Sequence, residues 1–251
     1  MFTSNPFADL TAAVSPSVLQ WYVCLMIFAV AGGTVYDMLH KSSAKFFAGR
    51  VQKSKTIAKR QLSAGEIIGM IVKVLAVEVA AAGEFCKPQR RISHLLMFYG
   101  IVFYLATTVI MVFCYPTHAE TTPTVLPVLW HVGIIMAMVG GYWFFFLLRV
   151  NVAKDGQPVF KLVRADLFIV SLLASVTFAL IWRLVSGSGS ASMVHTALGL
   201  YVLSSTILFM SVPWSKFAHM FYKPAAAFQR RVEEANGSSA LPNPATPQEE
   251  S

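Results

Sequence analysis

An all-α, integral membrane five-helix bundle is the fold class this sequence predicts, with one interfacial amphipathic helix and a disordered C-terminal tail. Three observations predict it. Apolar residues make up 56% of the 251-residue chain and charged residues only 13%, where soluble domains carry about 25% charged residues. Five runs are apolar and long enough to cross a bilayer, which takes roughly 20 residues. Lysines and arginines gather in alternate connecting segments. The same composition excludes a disordered chain, which needs low hydrophobicity, and three cysteines are too few for a secreted disulfide scaffold.

The first span covers about 17–36 and is closed by Asp37. It is too long for a signal-peptide core and has no positive segment before it. The second covers about 92–115 and ends near a turn at Pro116. The third covers 125–148 and is closed by Arg149. The fourth, 165–183, is short, with Asp166 and Arg183 at its ends reaching toward the interfaces. The fifth covers about 193–214, after a Gly/Ser-rich loop from Ser186 to Ser192.

Between the first two spans, 66–82 reads as an amphipathic helix. Ile67, Ile68, Ile71, Val74 and Leu75 share one face, with Glu66 and Lys73 opposite. It holds too much charge to span, so it is expected to lie on the membrane surface or to dock a soluble partner. The membrane domain is therefore 1–232. The segment 233–251, rich in Pro, Ser, Asn and Glu, is expected to be disordered.

Charge sets the orientation. The segment between spans one and two holds Lys41, Lys45, Arg50, Lys53, Lys55, Lys59, Arg60, Lys73, Lys87, Arg90 and Arg91. Arg149, Lys154, Lys161 and Arg164 lie between spans three and four, and Lys216, Lys223, Arg230 and Arg231 follow span five. With five spans all these cations fall on one side, which the positive-inside rule makes the cytoplasm. The N-terminus is then outside and the C-terminus inside. The net charge of +8 is accounted for by orientation and anionic lipid, without nucleic acid.

Five spans also sort the histidines. His94 and His219 fall near the cytoplasmic ends of spans two and five, and His131 and His195 near the outer ends of spans three and five. Two imidazoles at one depth on facing helices are what a six-coordinate haem iron needs. The pattern is that of a cytochrome b, with His94 and His219 as the inner ligands and His131 and His195 as the outer. A helix-end histidine also makes ordinary hydrogen bonds in the headgroup region, and that reading stands beside the first. His40 and His118 are loop or edge residues without a site role. His195 and His219 are 24 residues apart, about 36 Å in a straight helix. That exceeds the roughly 30 Å hydrocarbon core. Pro213 would break such a helix.

Two stretches carry a family resemblance. Arg90-Arg91-x-x-His94-x-x-x-Phe98-Tyr99-Gly100 opens the second span, and Pro213-Trp214-Ser215-Lys216-Phe217-x-His219-x-x-Tyr222-Lys223 closes the fifth. Over about 65–232 the chain resembles the five-span cytochrome b family. That family includes respiratory nitrate reductase gamma subunits, heterodisulfide reductase E-type subunits, the membrane-embedded half of quinone-interacting oxidoreductases, and tricarballylate-utilisation membrane proteins. The resemblance implies one or two b-type haems and quinone as the electron partner. It also implies a cytoplasmic iron–sulfur or flavin oxidoreductase as the soluble partner, and a bacterial cytoplasmic membrane as the location. Cys24, Cys86 and Cys114 are too scattered for an iron–sulfur cluster. A stand-alone chain of this kind resembles the membrane anchors of adenylylsulfate reductases in sulfur-oxidising bacteria, which have no substrate chemistry of their own.

The sequence departs from the family at Tyr201, where a second histidine is usual, and at Thr108, where the nitrate-reductase type has one. In that type the span-two inner ligand also lies one turn later, at the position of Phe98. The aromatic run Tyr142 to Phe146 reads as lipid-facing or as packing for a flat ring. Gly140, Gly141 and Gly199 permit close helix approach. Arg183 reads as a snorkelling cation, or as one able to meet a haem propionate or a quinol oxygen; Asp166 is expected to pair with Arg164 or the tail. No nucleophile–histidine–acid set is present, so no catalytic residue is expected. The alternatives are a haem-free docking protein and a small transporter; the absence of carboxylates within the spans argues against transport.

Overall fold

The computed structural model describes residues 2–40, 43–83, 85, 87–149, 162–163, 166–187, 189–212 and 219–239. All regular structure among them is helical. Five helices are long and apolar enough to cross a membrane: α2 (Pro16–His40), α5 (Pro88–Cys114), α6 (Val125–Trp143, continued by a π-helical turn Phe144–Leu148), α7 (Leu167–Val185) and α8 (Ala191–Met210). The chain is therefore a multi-pass membrane protein by length and composition. The other helices are α1 (Pro6–Leu10), α3 (Ser43–Ile57), α4 (Ala64–Lys73, continued by a π-helical segment Val74–Ala80) and α9 (His219–Asn236). The chain divides into two compact units, 1–35 with 85–217 and 36–84 with 218–251.

The first unit is the membrane bundle. In lipid the surroundings are as apolar as the helix faces, so packing and interhelical hydrogen bonds hold helices together. The exposed Trp21 (75%) and Phe28 (73%) on α2 suit lipid contact for the same reason. Glycine brings α5 and α6 into backbone contact. A Cβ on Gly133 would stand 2.7 Å from the Tyr104 nitrogen, and one on Gly140 2.6 Å from the Ser93 carbonyl oxygen. Ser93 donates to the Gly140 carbonyl at 2.8 Å. Gly199 has no neighbour that a Cβ would meet, so its smallness serves no described contact. The other helices are joined by hydroxyl pairs: the buried Tyr104 to Tyr201 at 2.6 Å and Ser175 to Ser205 at 2.7 Å, and the half-buried Tyr142 to Thr177 at 2.9 Å.

The second unit is polar. Arg50 on α3 makes a two-pronged contact with Glu233 on α9, at 2.7 and 2.6 Å. Arg231 on α9 reaches Glu78 at 2.7 Å, and Arg60 donates to the Ala235 carbonyl at 2.8 Å. Ser63 and Glu66 form a reciprocal cap at the start of α4, with the Ser63 nitrogen donating to Glu66 at 2.8 Å. Helix α9 runs to Asn236 and stops at Gly237, whose φ of +75° is the left-handed conformation that glycine takes without strain. The expected disordered tail therefore starts too early: Glu233 is buried and ion-paired, and Ser238 hydrogen-bonds Ser54 at 2.7 Å. Residues 240–251 lie outside the described residues.

Candidate functional site

The four candidate histidines divide differently from the expectation. His131 on α6 is only 4% exposed. Its Nδ1 stands 2.6 Å from the Pro127 carbonyl oxygen. A carbonyl can only accept, so Nδ1 carries the proton and Nε2 keeps its lone pair. Nε2 is buried without a hydrogen-bond partner. That is the tautomer of a metal-ligating histidine. Yet Phe2 stands edge-on to this ring, 4.8 Å between centroids, and Trp130 packs beside it at 4.9 Å. His195 on α8 is exposed. No hydrogen bond or ring contact joins His131 to His195 among the described residues, and these hold no cluster of three metal-ligating side chains.

The two positions where the resemblance looks for outer ligands are filled. Tyr201 shares its hydroxyl with Tyr104 and stacks on Trp182, 5.8 Å between centroids and 13° between planes. Thr108 accepts from Trp130 Nε1 at 3.0 Å. Phe7 wedges against Trp130 at 5.8 Å and Trp182 at 6.1 Å. Tyr201 and Thr108 are thus hydrogen-bonded within the bundle.

What fills that end is the N-terminal segment, which sequence reasoning missed. Asn5 accepts from the Phe7 and Ala8 nitrogens and caps α1, while its amide donates to the Tyr115 carbonyl at 2.9 Å. Arg183 does not snorkel. It is 4% exposed, donates to Asp9 at 3.0 Å, and also bonds the Ser4 hydroxyl. Asp9 meets His118 Nε2 at 3.1 Å from its other oxygen. The available signal was Asn-Pro at positions 5 and 6, a helix-start pair, followed by an acid. A five-residue helix before the first span is too short for its pattern to show that it folds back on the bundle.

His94 occupies the second turn of α5 and is half-buried. Its ring lies 4.9 Å from Phe85 and is parallel to Phe98 within 6°, at 6.4 Å. These aromatic contacts hold the His94 ring as Phe2 and Trp130 hold that of His131. His219 begins α9, in the other unit, and its side chain is outside the described residues. Helix α8 ends at Met210 and α9 begins at His219, so the straight-helix separation of His195 and His219 does not apply. The proline expected to break that helix, Pro213, lies outside the described residues.

Elsewhere, Asp166 pairs with the buried Arg149, not with the tail, and also accepts from the Val163 nitrogen at 3.0 Å. Arg164 is outside the described residues. Arg149 sits over the Phe145 ring at 4.6 Å, so that aromatic run is partly internal, while Phe146 is exposed. His40 stacks on Tyr36 at 5.4 Å.

In the polar unit every described carboxylate has a partner. Asp37 accepts from Tyr222 at 2.9 Å, and Glu234 pairs with Arg230 at 3.1 Å. Glu66, Glu78 and Glu233 are held by arginines. The Ser63 backbone N–H, then Arg60, hold the Glu66 carboxyl below its ordinary range. Arg50 does the same for Glu233. Burial, then Asp37, pushes the Tyr222 hydroxyl up to about 12. Lys45, Lys53, Lys55 and Lys59 remain exposed, as does Phe46 (77%).

Comparison of the chain with family models, curated proteins and solved structures returns no match. The two histidine-bearing motifs are thus what carries the family resemblance.

Proposed function

We propose that this chain is the membrane anchor and electron-transfer subunit of a quinone-linked oxidoreductase in the bacterial cytoplasmic membrane. A cytoplasmic iron–sulfur or flavin enzyme docks on the polar unit, and its electrons pass to quinone through one b-type haem. The observation that carries the reading is the charge balance of the polar unit. Its described carboxylates are paired internally, while the α3 lysines and Phe46 stay on the surface. Exposed lysines attract an acidic protein surface, and Phe46 with Lys53, seven residues on along α3, offers it an apolar anchor beside a charge.

His94 and His219 are the ligands in this reading, with Phe85 and Phe98 fixing the His94 ring. A bound b-type haem supplies a one-electron relay. Quinone takes up two electrons and two protons to become quinol. The resemblance to adenylylsulfate reductase anchors makes that enzyme the first partner to test. Adenylylsulfate formation from sulfite and AMP would then occur on the partner.

Pyridine haemochrome analysis of the purified chain tests the haem. The expected result is one b-type haem per polypeptide, lost in His94→Ala and in His219→Ala and retained in His195→Ala. The second reading is a haem-free anchor, which keeps the docking role of the polar unit and gives His94 and His219 no ligand role. No haem, with binding of the soluble enzyme intact, would select it.

A further inference from the structure

The amphipathic helix presents a different face from the one its sequence pattern marks. Val74 is buried at 3% exposure, and Ile67 is half-buried. The exposed apolar residues are Ile68 (61%), Ile71 (42%), Val72 (59%) and Leu75 (54%). Their spacing of i, i+3, i+4 and i+7 makes one continuous stripe on a helix. The switch from α-helix to π-helix falls at Val74, so Leu75 carries the stripe into the π-helical segment.

From this stripe we infer that α4 lies in the interface of the cytoplasmic leaflet, with Ile68, Ile71, Val72 and Leu75 among the acyl chains and Lys73 toward anionic headgroup phosphates. Chain length requires proximity to the bilayer. Seven residues separate Ala80 from Pro88, the first residue of a span, and they reach at most about 25 Å. Charge is complementary to anionic lipid. Lys73 is exposed, while the acids on the same segment, Glu66 and Glu78, are held by Arg60 and Arg231. The same two arginines belong to the contacts that tie α4 and its π-helical continuation to α9. A helix seated in lipid therefore holds the whole polar unit to the membrane surface, whether or not the chain carries haem.

Spin labels test it on the full chain in nanodiscs containing phosphatidylglycerol, with Cys24, Cys86 and Cys114 replaced by Ser. Labels on Ile68→Cys, Ile71→Cys and Leu75→Cys are expected to collide more with oxygen than with an aqueous nickel complex. A label on Lys73→Cys is expected to show the reverse. The three apolar sites are exposed and independent, so loss of folding in one leaves two readings. More nickel than oxygen collisions at those sites would overturn the inference. So would labels that leave water only when the soluble enzyme is added, which would make a protein the occupant. Exchanging phosphatidylglycerol for phosphatidylcholine is expected to lower the oxygen-to-nickel ratio at Ile71→Cys. An unchanged ratio would overturn the part assigned to anionic headgroups.

Discussion

The bundle and the polar unit are held together by different forces. In the bundle, α5 and α6 meet backbone to backbone at Gly133 and Gly140, the other helices are joined within the membrane by neutral hydroxyl pairs, and the charged pairs Arg183–Asp9 and Arg149–Asp166 sit at helix ends. In the polar unit, the helices are joined by Arg50–Glu233 and Arg231–Glu78, charged pairs in contact with water. Neutral packing in lipid is indifferent to salt and pH. Charged pairs at a surface are weak singly, screened by salt, and lost when their carboxylates are protonated. The membrane part is thus built to persist and the polar part to respond to its surroundings.

The largest effect that would break this comparison lies at the α5–α6 contact. Gly133→Val places an isopropyl group where the Tyr104 backbone already stands, so it should cost about 3 kcal/mol in unfolding by sodium dodecyl sulfate. Gly199→Val, where nothing lies within 4 Å, should cost far less by the same titration. Equal losses at the two sites would show that close approach is not what holds the bundle.

An intermediate effect is expected at the charged tie in the bundle's outer end. Asp9→Asn takes the carboxylate from the buried Arg183 and leaves its contact with Ser4. Because Asp9 is 41% exposed, the cost should be about 1–2 kcal/mol in the same titration. A change within error would mean that the N-terminal segment is held by Phe7 and Asn5 instead.

The smallest effect concerns acid. Arg50 holds Glu233 below its ordinary value, so the folded state binds its proton less readily than the unfolded state does. The contribution is present above the ordinary carboxylate range and is lost as the pH falls through it toward the lowered value. Thermal unfolding in detergent should therefore show the polar unit weakening as the pH falls below the ordinary carboxylate range, by roughly 1 kcal/mol or less. Glu233→Gln should flatten that dependence. An undiminished dependence in the variant would move the effect to another carboxylate.

The parts legible in the sequence were those decided by lipid. Twenty uncharged apolar residues have few alternatives to a spanning helix, so the five spans and the amphipathic segment were readable. The parts that were not legible depend on partners distant in the chain. Arg183 looks like a snorkelling cation until Asp9 and Ser4, over 170 residues earlier, are seen to hold it. Residues 233–239 look like a tail because their composition is polar, yet Arg50 and Ser54 give them fixed partners. The exposed amphipathic face is rotated from the marked one because Ile67 and Val74 are covered in a unit whose C-terminal helix is tied to this segment through Arg231 and Glu78, partners over 150 residues apart. Among the candidate ligands, charge gives an expectation of depth but none of pairing. Depth sets which histidines lie level; only packing decides which of them meet, and Phe2 and Phe7 stand beside His131 and its neighbour Trp130.

The central claim is a five-span chain with its cationic segments facing the cytoplasm. Labelling a cysteine after Phe2 and another after Gly237 from each side of sealed, oriented vesicles measures it most directly. The account predicts that the first reacts only from the periplasmic side and the second only from the cytoplasmic side. Reaction of both from the same side would contradict it, because an even number of crossings would separate the histidines now placed at matching depth.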